Sequence, residues 1–135
     1  MPTDFFIGIF RSDNMLFGTQ KVVNNELYIG GVSATELVKQ HGSPLYVYDE
    51  SHIHHMINVF KSNVKSDLFN TRIAYASKAF LTKGMVSLIE SHGLSIDLVS
   101  GGELYTAKQA NFSMEHAIIH GNNKSIEESR MAITY

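Results

Sequence analysis

Ser95-Ile96-Asp97-Leu98-Val99, followed by Ser100-Gly101-Gly102 and then by Glu103 to Ala110, decides how this chain is read. The first five residues are a short apolar run suited to a strand, the glycine pair ends it, and the next segment has helical composition. The same order recurs on either side. Arg72-Ile73-Ala74-Tyr75-Ala76-Ser77 reads as a strand, followed by a helix from about Thr82 to His92 with Met85, Leu88 and Ile89 at helical spacing, closed by Gly93. Ala117-Ile118-Ile119 reads as a strand ending at His120-Gly121, and Ser125 is placed to cap a helix through Glu127, Arg130 and Met131. Upstream, Leu45-Tyr46-Val47-Tyr48 reads as a strand. Asp49 or Ser51 then caps a helix with Ile53, Ile57 and Phe60 on one face.

These strands are near-continuously apolar, which suits a parallel sheet covered on both faces. Lys78, Ser100 and His120 each end a strand, at intervals of 22 and 20 residues. The fold class is therefore α/β. Four such units make half of an eight-stranded (β/α)8 barrel, the TIM type, whose usual length is about 250 residues. The chain stops inside its last helix with no terminator, so it is expected to be the N-terminal part of a longer protein. An open four-stranded α/β sheet is the alternative.

Residues 1 to 33 read differently. An apolar stub meets a polar turn at Arg11-Ser12-Asp13-Asn14. Two β-rich runs, from Met15 to Val23 and over Glu26-Leu27-Tyr28-Ile29, then flank Asn24-Asn25. Asparagine tolerates positive φ, so this pair predicts a hairpin turn. Gly30-Gly31 breaks the chain, and Ser33 with Glu36 forms a capping-box pattern for a helix from Ala34 to His41 that Gly42 terminates. The expected organisation is a β segment over 1–33 and a partial barrel over 34–135.

Composition removes several function classes. With 135 residues, 44% hydrophobic and 18% charged, the chain is globular. Eleven basic against 13 acidic residues leave −2, with no basic stripe, so no nucleic-acid partner is expected. No apolar run approaches the roughly 18 residues a membrane helix needs. The run Phe5 to Phe10 lacks the flanks of a signal peptide. A cytoplasmic location and no membrane partner are expected. The absence of cysteine removes disulfides, thiolate metal sites and a cysteine nucleophile. His52, His54 and His55 have no clustered acid to complete a ligand set, so no metal site is expected.

In parallel α/β folds ligands gather at the carboxyl ends of strands. This chain puts Lys78, Asp97, Ser100, Glu103, His120 and Asn122 at or just past those ends. An ammonium group is costly to bury, so a lysine leaving an apolar strand calls for a partner or a role. A desolvated lysine can attack a carbonyl and form a Schiff base. A lysine just clear of the strand and reaching into water fits the same position. Asp97 interrupts an apolar strand and calls for a cation, with Lys78 on the neighbouring strand as the expected one; a strand-end carboxylate facing solvent is the alternative. Ser100-Gly101-Gly102-Glu103 can present backbone N–H groups to an anion, or simply make a tight turn. His120-Gly121-Asn122-Asn123-Lys124-Ser125 is dense in donors and acceptors, though a loop and a serine cap account for it too.

Four stretches carry a resemblance: residues 42–50 (Gly-Ser-Pro-Leu-Tyr-Val-Tyr-Asp-Glu), Tyr75-Ala76-Ser77-Lys78-Ala79, residues 96–104 and His120 to Ser125. Together they resemble the N-terminal part of the diaminopimelate decarboxylase family, pyridoxal-phosphate enzymes of the alanine-racemase-like barrel class, over about residues 15 to 135. The resemblance implies pyridoxal 5'-phosphate held as a Schiff base on Lys78, with Asp97 beside it and Glu103, His120 and Asn122 lining the cofactor pocket. It implies decarboxylation of meso-2,6-diaminopimelate to L-lysine and CO2, a homodimer, and a second, β-rich domain to which the early hairpin belongs. The rest of the cofactor and substrate machinery is expected later in the chain, so this piece alone is expected to be inactive. Ser77 and Phe80 stand where the family's motif has Val and Asn. Ser77 is expected to be benign, whereas Phe80 cannot supply a polar contact. Related decarboxylases of arginine, ornithine or carboxynorspermidine, and a non-enzymatic cofactor-binding relative, share the pattern. A purely structural reading has Lys78 and His120 as surface residues.

Overall fold

The computed structural model describes residues 16–135; the apolar stub and polar turn expected before them lie outside the described residues. The chain divides into two units, residues 1–59 and 60–135.

The first unit is built on turns. β1 (Lys21–Val23) and β2 (Glu26–Ile29) pair antiparallel with Lys21 opposite Tyr28. Asn24 and Asn25 between them have φ of 50° and 64°, the left-handed pair that matches the twist of a two-residue hairpin. Gly30-Gly31 does more than break the chain. With φ of 59° and 83° it makes a second tight turn into β3 (Val32–Ser33), which pairs with β2 and completes a three-stranded antiparallel sheet. Helix α1 (Ala34–His41) follows and packs on β2 and β3. The Ser33 hydroxyl accepts from Glu36 N at 3.1 Å. Its own proton goes to Glu26, so Glu26 on β2 takes the bond, and this hydroxyl beside it holds its carboxyl below the ordinary range.

Leu45–Tyr48 departs from expectation. These residues join no strand ladder among the described residues and are exposed. An apolar extended segment becomes a strand only where a sheet edge offers its backbone partners. Three βα units are therefore formed where four were expected. Asp49, not Ser51, caps α2 (Glu50–Asn63), accepting from His52 N at 3.1 Å. Thr19 also donates to Asp49 through its hydroxyl and, at 3.2 Å, its amide; that hydroxyl is the main reason the Asp49 carboxyl lies below its usual range.

The second unit is a parallel sheet in the order β4 (Ala74–Ala76), β5 (Ser95–Leu98), β6 (Ala117–Ile119). Ala76, Asp97 and Ile118 lie in register, as do Tyr75, Ile96 and Ala117. Helices α3 (Lys83–Ser91), α4 (Gly101–Gln109) and α5 (Ile126–Thr134) follow the three strands in turn. Thr82, Ser100 and Ser125 cap them, each hydroxyl accepting from the amide three residues on. Helix α4 begins two residues before the expected Glu103, because the Ser100 cap draws both glycines into the first turn.

The core joins Val86 and Ile89 of α3, Ile96 and Leu98 of β5, and Leu104 and Ala107 of α4, all at most 2% exposed. Helices thus cover the face bearing Ile96 and Leu98. On the opposite face Ala74, Ala76 and Ile118 are exposed, so the expected cover on both faces is found on one among the described residues. Among the described residues, no helix is long and apolar enough to cross a membrane.

Candidate active site

The polar residues past β4, β5 and β6 follow from how each strand ends. After Ala76 the chain makes a 3-10 turn over Ser77–Ala79, with Phe80 N donating to Ser77 O at 3.1 Å. That turn lifts Lys78 off the ladder and leaves it exposed. The Tyr75 hydroxyl donates to Phe80 O at 2.7 Å and pins the turn. Position 80 therefore contributes through its backbone, consistent with the polar contact a phenylalanine cannot make. Ser77 points the other way and is 2% exposed, and its hydroxyl has no hydrogen-bond partner among the described residues. A buried hydroxyl left unpaired costs about 1–3 kcal/mol.

β5 and β6 run on together beyond their formal ends, His120 N donating to Leu98 O at 3.1 Å. This brings the His120 ring to Asp97, with Nδ1 2.9 Å from Oδ1. Asp97 was expected to take Lys78 as its cation, and the structure gives it His120 instead. The reason is register: the ladder carries His120 alongside Asp97, whereas the 3-10 turn takes Lys78 out of line. Asp97 is about one-quarter exposed and His120 more than half, so solvent screens the pair. A carboxylate accepts only, so the proton of this bond sits on Nδ1 and a neutral His120 keeps Nε2 as an acceptor. No hydrogen bond or ion pair engages the Lys78 amine among the described residues, and Asn122 is exposed in the loop beyond.

Glu103 turns back on the strand end, its Oε2 accepting from Val99 N at 2.6 Å. The Lys124 ammonium donates to Val99 O, so two side chains hold Val99, the first of the two residues between β5 and α4. The N-terminus of α4, a possible anion site by sequence, already has an anion. Glu128 Oε1 accepts from Gly101 N at 2.8 Å, while Oε2 accepts from Ser125 N at 3.0 Å. One carboxylate thus serves the first turns of both α4 and α5. The Ser125 amide first, then that of Gly101, holds it below the usual carboxylate range. Only half of this was legible: Ser125-x-x-Glu128 is a capping box by spacing, but the reach to Gly101 is not.

The donor set suits a cofactor that carries an aldehyde. A primary amine stands accessible at one strand end, unpaired among the described residues, and a carboxylate–imidazole pair stands at the next two.

Comparison with known proteins agrees. Residues 50–135 match the family described as pyridoxal-dependent decarboxylase, pyridoxal binding domain. The chain is 49% identical over 112 residues to diaminopimelate decarboxylase of Bacillus subtilis, covering 83% of this chain and 26% of that protein. It is 47% identical over 119 residues to the enzyme of the same name from Bacillus methanolicus, covering 87% and 28%. A crystal structure of diaminopimelate decarboxylase from M. jannaschii in complex with L-lysine matches with a TM-score of 0.75 at 34% identity, covering 86% of this chain and 28% of that one. The chain spans about a quarter of the length of the curated relatives it matches. With a family match that takes in Lys78 and every strand of the parallel sheet, this chain belongs to the pyridoxal-dependent decarboxylases.

Proposed function

We propose that the full-length protein carrying this chain decarboxylates meso-2,6-diaminopimelate to L-lysine and CO2, using pyridoxal 5'-phosphate bound through Lys78. The observation that carries the reading is the 49% identity to a diaminopimelate decarboxylase across a segment whose strand end presents an accessible lysine. When bound, the cofactor supplies an electron sink for the carbon–carboxylate bond that breaks.

The residues of this chain bind, orient and move a proton. Lys78 holds the cofactor, and once released its amine carries a proton to the reacting carbon. The exposed 3-10 turn lets that side chain swing without disturbing the ladder. Asp97 supplies negative charge at the neighbouring strand end. Its bond to Nδ1 orients the His120 ring. Glu103 and Asn122 line the same mouth, Glu103 by keeping Val99 and the start of α4 in place. Residues 34–135 form part of a (β/α)8 barrel in this reading, and residues 1–33 part of a β-rich domain. The protein is a cytoplasmic homodimer acting on a small amino acid.

Borohydride reduction of the full-length, cofactor-loaded protein and peptide mapping test the reading. The adduct is expected on Lys78, with CO2 released from diaminopimelate in preference to arginine, ornithine or carboxynorspermidine. An adduct on another lysine overturns the site. Cofactor binding without release of CO2 from any of the four overturns the activity. For Lys78→Ala, turnover is expected to fall at least about 10²–10⁴-fold, the usual contribution of a positioned proton carrier.

A further inference from the structure

The opposite end of the parallel sheet holds a cavity of about 340 Å³, lined by Lys61, Lys65, Arg72 and His116 together with apolar and small residues. It lies where β4 and β5 begin, beside Ile73 and Ser95, whereas Lys78 follows the far end of β4. No carboxylate lines it among the described residues. That imbalance needs an explanation, because charged side chains gathered on one rim repel one another.

Helix ends explain part of it. The C-termini of α2 and α3 both open here, and Lys61 donates to His92 O at 2.9 Å. Each helix end carries about half a negative charge. Two ends therefore balance about one cation, and Lys61 is plainly that one. Lys65 and Arg72 remain, about two unbalanced positive charges before His116 is counted. Their placement is structured: the Thr71 hydroxyl donates to Val64 O at 3.1 Å and closes the loop that carries both. The amides of Gly93, Leu94 and Ser95 already bond to Glu90, Ile89 and Ile73, so that wall of the cavity offers no backbone donors. Recognition falls to the side chains.

We propose that this cavity is a binding site for a small dianionic oxyanion, a phosphate group or a dicarboxylate, separate from the Lys78 site. The charge matches, the volume is at the lower end of that typical for small-ligand pockets, and the Arg72 guanidinium offers a fork suited to two oxygens. Lys65 adds a point charge beside it.

The test uses the full-length protein saturated with cofactor, so that its own phosphate pocket is filled. Equilibrium dialysis with radiolabelled inorganic phosphate, and competition by succinate, give stoichiometry and source. One saturable phosphate per chain is expected, weakened about ten-fold or more by Arg72→Gln and also by Lys65→Gln, with both variants melting at the wild-type temperature. Displacement by succinate identifies a dicarboxylate site and its absence a phosphate site, and either supports the proposal. No saturable phosphate or succinate binding, or binding equal in wild type and both variants, overturns it. Because the readout is binding of an added anion, the result is independent of which amino acid the protein decarboxylates.

Discussion

The two units of this chain are ordered by different physics. In residues 16–59 Ile57 alone is buried, yet the hairpins and α1 are sharply formed. Their order comes from local devices: two consecutive left-handed turns, a serine cap, and carboxylates of Glu26 and Asp49 that accept hydroxyl protons. Residues 60–135 instead gather eleven buried residues around β5. A short three-stranded sheet with one helix against it and no buried side chain of its own gains little from burial, whereas a sheet with several helices across one face gains much. Side chains presented at strand ends depend on the second kind of order, because a group that is to react must be held still.

The strongest way to break this contrast is to cut matched side chains from each unit. Leu98→Ala, at a site with no exposed surface, is expected to cost about 2–5 kcal/mol in urea denaturation of the full-length protein. Val22→Ala on exposed β1 should stay within about 0.5 kcal/mol. Equal losses would mean that the hairpin sheet is packed as tightly as the parallel one. Ser77→Ala sharpens the contrast from the other side. Removing a buried hydroxyl that has no partner should raise stability by about 1–3 kcal/mol, and a loss would show that the hydroxyl is bonded in solution.

A smaller effect belongs to the first unit. Gly31→Ala places a side chain at φ of 83° and should cost about 1–2 kcal/mol, seen as faster hydrogen exchange across Glu26–Ser33 with residues 95–119 unaffected. The smallest concerns pH. The Glu128 carboxyl is depressed in the folded state, so its contribution is complete above the ordinary carboxylate value of 4.5 and fades as pH falls through the lower folded value. Glu128→Gln should therefore lower the melting temperature at neutral pH and flatten its decline below pH 4.5. An unchanged acid limb would show that the carboxylate does not hold the two helix starts.

What could be read in advance followed range along the chain. Asn24-Asn25, Ser33, Gly42, Gly93 and Ser125 act within four residues, and each took the expected turn or cap, while Thr82, expected as the first helical residue, caps α3 instead. Gly30-Gly31 was read as a break because its partner strand is two residues long, below the length at which alternation can be seen. The site was legible as a set of strand ends but not as a set of contacts. Lys78 and Asp97 looked like partners because their strands are neighbours, and only the 3-10 turn after Ala76 parts them.

Residue order alone determined that the chain alternates strand and helix, that its polar groups fall at strand ends, and that one lysine leaves an apolar run, since propensity, capping and turn chemistry are short-range. The tertiary structure decided that Asp97 meets His120, that Glu128 occupies the start of α4 and, among the described residues, that Leu45–Tyr48 stays outside any ladder and three cations share one rim with no carboxylate. The two carboxylate contacts join groups more than twenty residues apart, the strand depends on which backbone groups find partners, and the rim depends on how the loop after α2 folds back. Their separation is set by strand register and helix docking, and composition carries no record of either.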